Sequence, residues 1–335
     1  MKNKTLSKEN MFYQTNILYI GHFAIDTIIR FKEKRKPSLG GSVSFGSLAL
    51  KKYTKNVYVR IVSSIGKQNF DPFLLNPLKK NKINLSIKYY DALNTNFILN
   101  YVDHSRSLIL KSRSPNLEII DIPINIRENP PEIIVLVPLC NEISMEYVKD
   151  ILKMFPEAYI GIDLQGFIRK IDLESGIVSY LYEEKILSNV KQMITLIGDK
   201  LILKGSENEM KLLSGKEDLF EVMEFFNGFD NNGIYIMTLG EAGSMITKKG
   251  ETLIKIPAFT PETVIDETGA GDVYLAIFLY EFYNSDFSWR SVENAALYAS
   301  SAASFLVEKK GINGCKSMKK VFSRLCQKKY ITECG

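Results

Sequence analysis

Seven residues, Asp266-Glu267-Thr268-Gly269-Ala270-Gly271-Asp272, stand directly before the almost wholly apolar run VYLAIFLYEFY. A helix that only packs has no use for glycines at its mouth, since Gly costs roughly 1 kcal/mol against Ala in a helix interior. The run is apolar nearly all round, which marks a buried helix whose N-terminus opens at an edge of the core. Free N–H groups there, beside side chains too small to cover them, form a cradle for an anion that the helix dipole strengthens. Asp272 puts a carboxylate inside that cradle. Beside a phosphoryl group in transit it makes sense as the acceptor of an alcohol proton, with the amides of Gly269, Ala270 and Gly271 holding the transferred charge. The plainer reading of Asp272 is an acidic residue in a helix first turn, a common stabilising choice.

The elements that must position these residues read as α/β. Residues 16–21, 56–64, 132–139, 158–164, 194–204 and 234–240 are short β-rich runs, and a helix-length pattern such as the one starting at Gly41 separates one from the next. Continuous apolar strands with helical crossovers indicate a doubly wound, mostly parallel sheet covered by helices on both faces. Residues 84–112 instead alternate apolar and polar, with turn signals at Asn94 and His104-Ser105. Such alternation predicts antiparallel strands with one wet face, and with residues 25–37 they would form a small β lid on the core. The expected organisation is one domain over 16–330, with residues 1–15 as a flexible extension. Residues 291–311, SVENAALYASSAASFLVEKKG, read as a helix with an Ala/Ser stripe and Gly311 as C-cap. By itself that stripe indicates tight helix packing.

Composition narrows the class. The chain has 335 residues, 45% hydrophobic and 24% charged, as in an ordinary globular protein. Its net charge of +5 is the small difference between 43 basic and 38 acidic residues, which gives no argument for nucleic acid. KEKRK at 32–36 is the densest basic run and reads as a solvated loop or strand tip. Cys140, Cys315, Cys326 and Cys334 lie far apart, without a C-x-x-C pair or a neighbouring histidine. Reduced thiols, no signal-peptide h-region and no spanning run place the expected protein in the cytoplasm, off the membrane. No G-x-G-x-x-G joins the first strand to a helix, so a dehydrogenase fits poorly.

The run DETGAGDVYLAIF resembles the signature of the PfkB carbohydrate kinases, the ribokinase-like family, and other motifs of that family follow in order over roughly residues 16–312. Gly21 and Asp26 in YIGHFAID are similar to its opening strand, where the acid binds substrate hydroxyls. Gly40-Gly41 resembles its di-glycine, which hinges the lid and admits the substrate. KGSENEMKLLSG resembles the segment whose acid, here Glu209, organises magnesium through water; Ser206 stands where the family usually has Asn. MTLGEAGSMI resembles the nucleotide-side strand and loop, with Thr238 and Gly240 near the phosphates and Gly243 in the turn. The Ala/Ser helix, with Ser300 and Ser304, falls where the family packs adenine, which replaces the packing reading above. Asp266 lies near where some members hold a monovalent cation.

Two departures bear on the acceptor. Phe45 stands where sugar-binding members often carry Asn, four residues after the second glycine. Together with Ser206 and the segment DLQGFIR, whose Asp163 and Arg169 end a strand at the ligand-binding edge of the sheet, it resembles the inositol-kinase-like branch. The resemblance thus implies an ATP-dependent kinase using Mg²⁺ and acting on a small sugar or cyclic polyol, with a myo-inositol-like acceptor favoured. A nucleoside or hexose kinase of the same fold and a non-catalytic nucleotide or sugar sensor are the alternatives. The exposed lid edge could pair with a second copy to give a homodimer.

Overall fold

The computed structural model describes residues 14–331 apart from 31, 32, 35, 36, 103, 104 and 173. His104, Cys334, most of the basic run and residues 1–13 of the expected extension therefore lie outside the described residues. In chain order the strands are β1 (Thr15–Ile20), β2 (Ala24–Arg30), β3 (Glu33–Lys34), β4 (Ser38–Gly40), β5 (Val57–Gly66), β6 (Asn84–Tyr90), β7 (Asn96–Val102) and β8 (Ser105–Ser112). They continue as β9 (Ile133–Leu136), β10 (Tyr159–Asp163), β11 (Lys170–Ile171), β12 (Val178–Ser179), β13 (Leu201–Ser206), β14 (Ile234–Thr238), β15 (Ser244–Thr247) and β16 (Ile254–Ile256). The first strand starts at Thr15, one residue before the expected boundary, where the Thr15 hydroxyl donates to Asn284.

The main sheet has the order β16-β15-β14-β13-β10-β9-β1-β5-β6 and is parallel except around β15, which runs against both neighbours. Its strands are buried on both faces. In β1, Ile17 and Tyr19 join one core cluster and Leu18 and Ile20 the other. The first cluster holds the helices Ser42–Tyr53, Ala270–Tyr283, Trp289–Leu306 and Met318–Gln327; the second holds Met145–Met154, Glu184–Ile197, Glu207–Ser214 and Leu219–Asn227. The architecture is the expected doubly wound one. The helix Ala270–Tyr283 is buried all round because it lies between the sheet and the helices on either side. Gly161 of β10 lets it approach, since a Cβ there would sit 2.5 Å from Leu279.

Three local expectations need correction. β6 is not a lid strand but the edge of the main sheet, paired parallel with β5 from Arg60↔Asn84 to Gly66↔Tyr90. An edge strand half-covered on both faces alternates in sequence much as a lid strand does. The run 194–204 is also not one strand: Ile194 and Ile197 are buried on the helix Glu184–Ile197, Gly198 turns the chain at φ +68°, and only Leu201 onward is β. Finally, the helix Trp289–Leu306 ends on Val307, and Gly311 instead opens a short 3-10 turn at φ +53°.

The lid is the sheet β3-β2-β7-β8 with β4 on β2. It is mixed, not antiparallel: β2 and β7 leave the core in the same direction and pair parallel, and only β7–β8 and the short strands run antiparallel. Its neck is tied by buried polar groups. The His22 ring lies 2.9 Å from the Pro115 carbonyl and 3.2 Å from the Thr95 hydroxyl, joining three of the chain crossings between core and lid. Glu142 accepts from the N–H groups of His22 at 3.2 Å, Leu139 at 2.9 Å and Cys140 at 2.7 Å. Burial pushes the His22 pKa down against the pull of Glu142, which keeps the ring neutral inside the neck. Among the described residues no helix is long and apolar enough to cross a membrane.

Candidate active site

The carboxyl ends of the parallel strands converge with the helix mouth at Gly269–Asp272, the edge where open α/β sheets bind ligands. Two cavities meet there. One, of about 170 Å³, lies under the lid and is lined by Asp26, Gly41, Asp163, Arg169, Gly269, Ala270, Gly271 and Asp272. The other, of about 240 Å³, lies beside the Ala/Ser helix and is lined by Thr238, Gly240, Gly243, Ser300 and Ser304. Glu267, Ala270 and Gly271 line both. Most of the sequence-predicted residues thus line one of two cavities, the expected acceptor side and the expected donor side, on either flank of one helix N-terminus; Gly40, Ser206 and Glu209 line neither.

The helix mouth requires its glycines. Gly269 caps the helix at φ +85°, and a Cβ there would sit 2.2 Å from the Phe45 ring. A Cβ on Gly271 would sit 2.7 Å from Lys204 Nζ. The Thr268 hydroxyl beside them is buried with no partner, an orphan of the kind a bound oxyanion would satisfy. The di-glycine serves the lid. Gly40 makes room for the Asp26 carboxyl, which a Cβ would overlap at 1.9 Å, and Gly41 turns at φ +93° into the helix Ser42–Tyr53. Phe45, noted as a lost polar partner, covers Gly269 and lines the acceptor cavity.

Asp272 stands in the first turn with its carboxyl on the acceptor cavity. Burial and then the nearby Asp163 carboxylate push its pKa up to about 7, against the opposing pull of Lys204 and a hydrogen bond from Ser42. A base poised there takes a proton at neutral pH more readily than an ordinary carboxylate. Lys204, at the end of β13, donates to Asp163 Oδ2 at 2.7 Å with both side chains buried. Burial works against its charge, but Asp163, Glu209 and Asp272 together hold it firmly as ammonium. Arg169 donates to the Leu139 carbonyl at 2.9 Å and to Gln165 at 3.0 Å, and its Nε has no partner. Gln165 in turn donates to Ser42 at 3.1 Å, which completes a polar floor under the acceptor.

On the donor side, Gly240 at φ +61° and Gly243 at φ +90° shape the loop after β14, and a Cβ on Gly243 would sit 2.0 Å from the Ile256 carbonyl. Ser300 donates to the Pro257 carbonyl at 2.8 Å. Ser304 accepts from Arg324 at 2.9 Å, and that guanidinium also pairs with Glu308 at 2.6 Å. Phe259, Val264, Ala303 and Val307 give this cavity an apolar wall.

Ser206 and Glu209 are placed differently. They form a capping box on the helix Glu207–Ser214 and line neither cavity. Glu209 accepts from the Ser206 N–H at 2.8 Å and from the Tyr180 hydroxyl at 2.9 Å. A carboxylate has about four lone-pair sites, so room remains for water. Among the described residues no cluster of three His, Cys, Asp or Glu could hold a metal. Magnesium bound largely through waters and phosphates fits this donor set; an all-protein cage does not. Asp266 braces the loop, accepting from Thr268 N–H at 3.1 Å and Gly311 N–H at 3.4 Å.

Lys204, Gln165, Ser42, Thr268 and Tyr180 were not singled out from the sequence. Only Lys204 left a signal, as a lysine in the otherwise apolar strand LILKG, since a buried charge is more informative than an exposed apolar side chain.

Known proteins share this fold. A nucleoside kinase of Methanocaldococcus jannaschii is 37% identical over 92 residues, and the match spans 28% of this chain and 28% of that relative's length. Its solved structure matches at a TM-score of 0.67 with 21% identity, covering 94% and 99% of the two chains. A pyrophosphate-dependent kinase in the ribokinase family, complexed with a pyrophosphate analogue and myo-inositol, matches at 0.71 with 18% identity over 88% and 96%. A fructokinase from Xylella fastidiosa with bound ATP matches at 0.74 with 16% identity over 93% and 98%. These likenesses show a ribokinase-like fold. The model of the pfkB family carbohydrate kinases matches residues 46–319, and with it the chain belongs to that family.

Proposed function

We propose that the protein is an ATP-dependent phosphotransferase that phosphorylates a hydroxyl of a small sugar or cyclic polyol, with a myo-inositol-like acceptor favoured. The observation that carries this reading is the meeting of an acceptor and a donor cavity across Gly269–Asp272. Asp26, Asp163, Gln165 and Arg169 offer the acceptor both hydrogen-bond acceptors and donors, as a ring of hydroxyls needs. Asp272 takes the proton from the attacking hydroxyl, and N–H groups of the helix mouth, other than that of Ala270, which donates to the Glu267 carbonyl at 3.1 Å, hold the transferred phosphoryl oxygens. Lys204 pairs with Asp163 and adds positive charge beside Gly271. The lid residues Phe97, Leu99 and Leu108 roof the cavity and keep water from replacing the alcohol. Magnesium, organised through water by Glu209, would neutralise charge on the donor phosphates.

One related structure is a pyrophosphate-dependent kinase, so the donor needs its own argument. Pyrophosphate has no use for an apolar wall, whereas a purine base does, and the donor cavity has one in Phe259, Val264, Ala303 and Val307. Ala303→Phe should fill it. The expected result is a KM for ATP raised about tenfold or more, which corresponds to about 1.4 kcal/mol or more of lost base contact, with the acceptor KM unchanged. Equal use of ATP and pyrophosphate by both forms would overturn the ATP assignment.

A nucleoside acceptor is the second reading, favoured by the 37% identical segment shared with a nucleoside kinase. A pure sensor fits less well, because Asp272 would repel a bound phosphate to no purpose. We place the protein in a reducing compartment, the cytoplasm: Cys140, Cys315 and Cys326 are free, and burial pushes the Cys140 thiol up to about 12. A homodimer through the lid would use the β3 side, because Leu110 of β8 already donates its N–H to Gly176 at 2.8 Å. Turnover of ATP against a panel of polyols, hexoses and nucleosides tests the acceptor class, and phosphorylation of nucleosides alone would replace the first reading by the second.

A further inference from the structure

The segment between Arg169 and the helix Glu184–Ile197 links two parts of the site. β11 and β12 form a hairpin whose turn is held by Asp172, which accepts from the N–H groups of Glu174 at 3.1 Å and Ser175 at 2.7 Å. Gly176, at φ +73°, gives its carbonyl to Leu110 N–H at 2.8 Å, and Ile177 bridges Ile109 on the outer edge of β8. A Cβ on Gly176 would sit 2.3 Å from the Leu110 carbonyl oxygen, so the docking depends on this glycine. The hairpin is therefore an added piece of the lid edge. One residue past β12, Tyr180 is partly exposed, but its hydroxyl donates to Glu209 Oε1 at 2.9 Å, and the Arg169 charge acts on the same hydroxyl. A single hydroxyl thus ties the segment that leaves the lid edge to the acid at the head of the helix Glu207–Ser214.

We propose that Tyr180 is a positioning residue that couples the lid to the metal side of the site, holding Glu209 in place when the hairpin is seated on β8. This rests on the proposed role of Glu209 in ordering a divalent ion's waters. With two oxygens fixed by Tyr180 and the Ser206 N–H, the remaining lone pairs of Glu209 point in set directions. Groups bonded to direct metal ligands commonly matter about 10–100-fold in metal affinity when removed; Tyr180 stands one step further out, behind the water-ordering Glu209, which sets its effect at the lower end. Because the hairpin bonds backbone to backbone with β8, a shift of the lid carries Tyr180 with it.

The test is Mn²⁺ binding, read by electron paramagnetic resonance on the full chain with a non-hydrolysable ATP analogue present, in wild type, Tyr180→Phe, Gly176→Ala and Glu209→Gln. Tyr180→Phe should weaken Mn²⁺ about tenfold, the lower end of such effects. Gly176→Ala, which touches neither Glu209 nor the metal, should weaken it in the same direction, and the double variant should lose no more than Tyr180→Phe alone. Should Gly176→Ala not accumulate, Ser175→Ala loosens the same turn, since Ser175 donates to Asp172 at 2.8 Å. Unchanged Mn²⁺ affinity in Tyr180→Phe, with a loss in Glu209→Gln, overturns the coupling while leaving Glu209 its role. Unchanged affinity in Glu209→Gln removes that role and the coupling with it.

Discussion

Asp272→Asn is expected to lower kcat by about 10²–10⁴-fold, the usual contribution of a positioned general base, and to raise thermal stability at pH 8. Both effects follow from one environment. Burial and the neighbouring Asp163 raise the Asp272 pKa to about 7. The folded chain therefore holds a proton that the unfolded chain, titrating near 3.9, gives up. Between those two values stability falls as pH rises, and above about 7 the cost of the ionised carboxylate is fully present. Asparagine removes that cost, so its advantage should grow from pH 4 to pH 7 and then level off. Activity should follow the opposite course: wild-type kcat/KM should climb with pH through about 7 as the base loses its proton. The residual activity of Asp272→Asn should lack that limb. Unfolding scans at pH 5 and pH 8, with pH–rate profiles of both forms, check the pair of signs. A variant that is less stable at pH 8 and keeps its pH limb would remove Asp272 from the role of base.

Lys204→Met is expected to cost about 3–5 kcal/mol of stability, the range for stripping one partner from a buried ion pair, and to reduce turnover by at least about tenfold, the order of one lost charge-assisted hydrogen bond. The ammonium is 2.7 Å from Asp163 Oδ2, and both side chains are buried, so methionine would leave the Asp163 carboxylate without its cation, with the Gln165 N–H at 3.3 Å still donating to it. Methionine also removes the positive charge beside Gly271 and frees Asp272 from the group that holds its pKa down. The pH limb should therefore move to higher pH. Pairing the change with Asp163→Asn separates structure from chemistry. Replacing both ions by neutral groups is often nearly neutral for stability, so the double variant should regain most of the lost stability but not the turnover. Equal unfolding midpoints in urea for the single and double variants would show that the pair is not coupled.

The contrast between Asp272 and Lys204 shows what the sequence makes legible. Gly269, Ala270, Gly271 and Asp272 announce themselves because the signals of a helix mouth are local: small residues, one acid and an apolar run, all within a dozen positions. The Lys204–Asp163 pair joins neighbouring parallel strands whose residues stand 41 apart in the chain, and nothing in the spacing declares it. β6 misled because half-covered edge strands and lid strands share the same alternation. Phe45 was visible as a departure, but its packing on Gly269 needs the fold. Ser206-Glu207-Asn208-Glu209 also spells the S-x-x-E of a capping box, and the structure uses it as one. One pattern can carry a local and a functional meaning at once, and only the three-dimensional neighbours show which groups remain free.

The most direct measurement follows the γ-phosphate of labelled ATP in the presence of magnesium and a panel of myo-inositol, ribose, fructose and nucleosides, with wild type and Asp272→Asn run side by side. If the helix mouth between the two cavities is where the phosphoryl group passes, label should appear on the hydroxyl of one acceptor class, and Asp272→Asn should nearly abolish its transfer. Bound ATP whose label reaches no acceptor, or transfer that proceeds equally in Asp272→Asn, would contradict that passage.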